Sequence, residues 1–97
     1  MNRTGEALIK ASIDGSLEAV RELLKHDSVD VNFANQYGNT ALILASWNDH
    51  LEVVQELLKH SAVDLNARNN HGQTPLTIAS PRGYLDVVRE LLKYDKT

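Results

Sequence analysis

Four histidines, His26, His50, His60 and His71, are the side chains of this 97-residue chain that first suggest metal or acid–base chemistry. His50 and Glu52 form an H-x-E fragment of the kind zinc deaminases use, where the histidine holds the metal and the glutamate moves protons. That chemistry also needs cysteine ligands, and the chain has no Cys. His26 and His60 stand 34 residues apart, each after a lysine, where a helix end would place cations against the negative pole of its dipole. HExxH, a glycine-rich phosphate loop and a nucleophile elbow are all missing. Ser12, Ser46 and Ser80 recur at the same spacing of 34, which suits small residues letting helices pack closely better than a nucleophile present in triplicate. The reading is a non-enzymatic chain with no metal site and no cofactor.

Composition narrows the remaining classes. A hydrophobic share of 42% with 24% charged residues is that of a folded domain. The net charge of −3 gives no general pull toward phosphate backbones or anionic lipid. Arg3, Arg68 and Arg82 could share a face, but no nucleic-acid reading motif accompanies them. "ALILA" is far too short to span a bilayer, and "MNRTGEALIK" has no uninterrupted apolar core of a signal peptide. The expectation is a soluble intracellular, cytoplasmic protein, with neither nucleic acid nor membrane as its partner.

The elements that must carry these residues repeat. "GNTALILASWNDHLEVVQELLKH" aligns without a gap on "GQTPLTIASPRGYLDVVRELLKY", 34 residues on, with about half of the positions identical. The same offset backwards reaches "TGEALIKASIDGSLEAVRELLKH", and it aligns "VDVN" with "VDLN". Each copy holds two short runs of apolar residues at helical spacing, as in Leu42 and Ala45, then Leu51, Val54, Leu57 and Leu58. Thr40 and Thr74 stand at N-cap positions, and Pro75 follows where a missing N–H costs nothing. Glu18, Glu52 and Asp86 place an acid near each second helix start. "DVNFANQYG" and "DLNARNNHG" have the composition of turns. A single helix pair cannot bury its own apolar stripe, so copies must stack and stability must come from neighbours.

The pattern resembles the ankyrin repeat, on "GNTALILAS…HLEVVQELL…VDVN" and "GQTPLTIAS…YLDVVRELL…VDLN", in close to three copies over nearly the whole chain. The resemblance implies an all-α solenoid of stacked helix-turn-helix repeats with short β-hairpin or turn connections. It implies one domain over 1–97, with repeats at about 1–34, 35–68 and 69–97. It also implies a protein-binding scaffold. Ile9, Ile43 and Thr77 replace the histidine of the family's "TPLH" box, so hydrogen bonds there give way to apolar packing or a hydroxyl. Gly15 and Gly83 keep the glycine between the helices, and Asp49 replaces it in the middle copy. Asp tolerates left-handed backbone, and with Glu52 it also offers a cap for the second helix. Pro81 should end its helix early. Asn32 and Asn66 match the family's hairpin asparagine, read here as a hydrogen-bonding tie of the turn rather than a hydroxylation site. Lys10 and Glu6 suit a first repeat with nothing in front. The third copy lacks polar capping, so its end should be frayed, truncated or covered by a partner or second copy.

Positions that vary between copies carry the target. At the turn tips these are Gln36, Tyr37 and Asn39, then Asn70, His71 and Gln73. On the first helices they are Ile13 and Asp14, Trp47 and Asn48, Pro81 and Arg82. By the resemblance they line the concave groove that grips partners. Trp47 and Tyr37, with Arg68 and Arg82, form the expected aromatic and basic contact patch. Trp47 shares its slot with Ile13 and Pro81, so the stack does not require a tryptophan. The alternatives are a self-associating stack joined through its uncapped end, leaving a monomer or weak homo-oligomer in solution, and a regulatory piece of a longer enzyme.

Overall fold

The apolar runs at helical spacing fold as six helices in the computed structural model, which describes residues 3–95. They are α1 (Arg3–Asp14), α2 (Leu17–Leu24), α3 (Ala41–Trp47), α4 (Leu51–Leu58), α5 (Pro75–Ala79) and α6 (Leu85–Tyr94). Each odd-numbered helix packs on the even one that follows it. Successive odd helices also pack on one another, as do successive even ones, so the chain is three stacked helix pairs in two rows. No strand occurs among the described residues, so the connections between pairs are turns rather than paired hairpins.

Local chemistry sets the helix ends. Thr40 Oγ1 accepts the Ile43 N–H at 3.2 Å and opens α3. Thr74 and Thr77 open α5 with a reciprocal box, Thr74 Oγ1 accepting from Thr77 N at 3.2 Å and Thr77 Oγ1 from Thr74 N at 2.8 Å. The Thr77 hydroxyl is therefore spent on its own helix start. α5 stops at Ala79 after five residues, since Pro81 has no N–H to extend the ladder.

Asp49 takes the left-handed conformation of the glycines it replaces, with φ 56° against 72° and 70° at Gly15 and Gly83. It does not cap α4. That helix starts at Leu51 with His50 as N-cap and no side-chain cap bond, because Asp49 lies one residue too early, in the turn itself. The left-handed strain on a side chain predicts that Asp49→Gly stabilises the fold by about 0.5–1 kcal/mol, net of the freedom glycine adds to the unfolded chain. Urea unfolding followed by circular dichroism reads this directly, and a loss of stability would show that the Asp49 side chain holds something else.

The middle pair has neighbours on both sides, and its apolar residues Leu42, Ile43, Ala45, Val53, Val54, Leu57 and Leu58 are all buried. Ile43, at the histidine position of the box in the second copy, is fully enclosed, so apolar packing stands there in place of polar bonding. Ser12 and Ser46 are also buried between helices. The Ser12 hydroxyl donates to the Leu8 carbonyl at 2.7 Å, while the Ser46 hydroxyl has no partner. At the outer face of the last pair, Leu85 and Leu92 are exposed. Arg21 and Glu56, 3.5 Å apart, link the second helices of the first two pairs on the outside.

Candidate partner-binding site

The turn tips are built on two equivalent asparagines. Asn35 Oδ1 accepts from Tyr37 N and Asn39 N, at 2.9 and 3.1 Å, and folds the first tip around itself. Asn69 Oδ1 does the same with His71 N and Gln73 N, at 2.9 and 3.0 Å. The Asn69 amide then donates to Asn39 Oδ1 and Gln73 Oε1, both at 2.9 Å, from a buried position. Asn70 adds two more links between the tips, its N–H to the Tyr37 carbonyl and its side-chain amide to the Gln36 carbonyl, each at 3.0 Å.

These bonds sort the expected contact residues. Asn39 and Gln73 are half-buried, with their side chains turned inward onto Asn69. The Asn70 side chain joins the two tips. Gln36, Tyr37 and His71 are exposed at the tips, Tyr37 to 58% of its surface. Asn69 itself is not marked by variation between copies; its signal in the sequence is the recurrence of Asn35 and Asn69 at the common offset. Asn32 also bridges neighbours rather than only its own turn, donating to the Ala62 carbonyl at 2.8 Å and accepting from Asp64 N at 2.7 Å.

Trp47 is the last residue of α3 and keeps 37% of its surface exposed. The guanidinium of Arg82, from the next helix pair, lies over the indole with its central carbon 4.8 Å from the ring centroid, within cation–π range. Arg82 Nη1 also donates to the Ile78 carbonyl at 3.0 Å, satisfying one of the free carbonyls at the end of α5. Asn48 caps α3 in a similar way, its side-chain amide donating to the Leu44 carbonyl at 2.9 Å while the residue stays exposed. Arg68 is exposed in the connection between the second and third pairs.

His50 belongs to the scaffold. Its Nε2 donates to the Ile13 carbonyl at 2.9 Å, and its ring covers Gly15, tying the second pair to the end of α1. His60 Nδ1 accepts the Ala62 N–H at 3.2 Å beyond the end of α4. Among the described residues, no three His, Asp or Glu side chains are grouped to hold a metal ion. No described helix is long and apolar enough to cross a membrane.

The chain matches two family models, ankyrin repeats (3 copies) over residues 1–69 and ankyrin repeats (many copies) over residues 57–96. No curated protein matches the chain. Helix pairs stacked in two rows, turns bonded tip to tip and a family match running along the sequence lead to one assignment: the chain belongs to the ankyrin-repeat family.

Proposed function

We propose that this protein is a non-enzymatic interaction module that grips another protein through the concave face formed by the turn tips and first helices. Ankyrin repeats are generally protein–protein interaction modules, and the family is typically non-enzymatic. The observation that carries the reading is Trp47, a large aromatic left exposed in a slot the fold fills elsewhere with Ile13 and Pro81. Tryptophan at such a site buries much area at little entropic cost, which is why it is enriched among binding hot spots. Tyr37, Gln36, Asn48, Arg68, Asn70, His71 and Arg82 complete the proposed surface, with Asn39 and Gln73 shaping the tips from inside. Affinity capture from the native source with wild type beside Trp47→Ala tests it. The variant should fold normally and lose about 2 kcal/mol of affinity for the true partner. A collapse of its melting temperature would instead make Trp47 a core residue.

A second reading rests on the exposed Leu85 and Leu92, which leave the last pair an apolar outer face. A stack that self-associates through that end would form homo-oligomers, and sedimentation at rising concentration separates it from a monomeric binder.

A further inference from the structure

We propose that Arg82, stacked on Trp47, is a recognition site for a carboxylate of the partner, so that the bound segment carries an aspartate or glutamate at this point. The inference rests on the binding face described above and specifies the chemistry that face selects. Three observations carry it. First, the guanidinium is held in place from two sides, by the indole at 4.8 Å and by the Ile78 carbonyl at 3.0 Å. Its planar fork therefore gives up little freedom when it binds, and a fork of N–H donors matches the two oxygens of a carboxylate.

Second, one of its five N–H donors is spent on Ile78, and no carboxylate among the described residues lies within ion-pair distance of it. Lys10, Arg21, Lys25, Lys59, Arg89 and Lys93 all have an acid at 3.1 to 3.5 Å. Arg82 differs from these equally exposed cations in resting on an aromatic face instead of an acid. Third, the pair exists only across two stacked helix pairs, since Trp47 closes α3 and Arg82 follows α5. The indole shields one face of the cation, so a carboxylate approaching the open edge meets a partly desolvated charge, where electrostatic pairing is stronger than in bulk water.

Trp47 is the only tryptophan in the chain, so its fluorescence reports this site alone. The probes are acetylated, amidated tetraglutamate and tetraglutamine, titrated into the intact protein. A net charge of −3 disfavours general attraction of an acidic peptide, so binding has to be local. Tetraglutamate should shift Trp47 emission saturably and tetraglutamine should not. Arg82→Gln should weaken the response at least about ten-fold, as expected for losing a hydrogen-bonded charge. Arg82→Lys keeps the charge but loses the fork, and should still be weakened about five-fold. Equal responses to the two peptides, or an undiminished response in Arg82→Gln with an unchanged melting curve, overturn the proposal. If a captured partner depends on Trp47 and binds both Arg82 variants like wild type, the face stands and carboxylate recognition falls. If capture is indifferent to Trp47 while tetraglutamate still binds through Arg82, the reverse holds.

Discussion

Leu58→Ala should destabilise the protein by about 2–5 kcal/mol, whereas Leu92→Ala, at the same place in the next repeat, should cost no more than about 0.5 kcal/mol. The two leucines are the same residue in the same slot of the same helix type, 34 positions apart. They differ in burial. Leu58 is 3% exposed, in a helix packed against both α2 and α6, and Leu92 is 53% exposed, in a helix packed on α4 and α5. Removing a buried isobutyl group loses its transfer free energy and leaves a cavity that its neighbours fill only in part. Against a total stability of roughly 5–15 kcal/mol, the first loss is a large fraction. Chemical denaturation of the two variants beside wild type measures both. Equal costs would mean that Leu92 is covered in solution, which is what the self-associating alternative requires.

Gly38→Ala should cost about 2–4 kcal/mol, and Gly72→Ala only about 1–2 kcal/mol. Both glycines are in the left-handed region, at φ 75° and 73°, so both variants carry the same backbone penalty. At Gly38 a Cβ would also fall 2.8 Å from the Asn70 backbone nitrogen and 3.1 Å from the Asn69 Cα, where the second tip leans on the first. Those atoms are backbone and cannot swing away without breaking the bonds from Asn70 to Tyr37 and Gln36. At Gly72 a Cβ would meet nothing within 4 Å. The difference between the variants therefore isolates the contact between tips, and thermal melts of both would read it. A difference near zero would mean that the tips do not bear on each other.

The stack was legible because its causes are periodic. Leucines, valines and alanines recurring at one offset gave the helix pairs, the threonine caps and Pro81 gave their limits, and the need to bury a stripe gave the stacking. Contacts across repeats were harder to read, since they depend on the rotation between neighbouring pairs and not on any one copy. His50 looked like a fragment of a metal motif and is a tie to the Ile13 carbonyl. Asn69 looked like ordinary turn composition and is the buried hub of the tips. Arg82 was placed in the patch from its variability, but its seat on Trp47 required the third pair to be set against the second. Asp49 showed the limit of local rules. Its left-handed geometry followed from the glycine it replaces, and its supposed cap failed by one residue.

If the face bearing Trp47 binds a protein partner, the indole serves that contact and the stack itself does not need it. The direct measurement is the dissociation constant of a captured partner for wild type and Trp47→Ala, taken with the melting curve of each. The expected ratio is about thirty, corresponding to roughly 2 kcal/mol, with melting temperatures nearly unchanged. Equal dissociation constants, or an affinity lost only together with the fold, would contradict it.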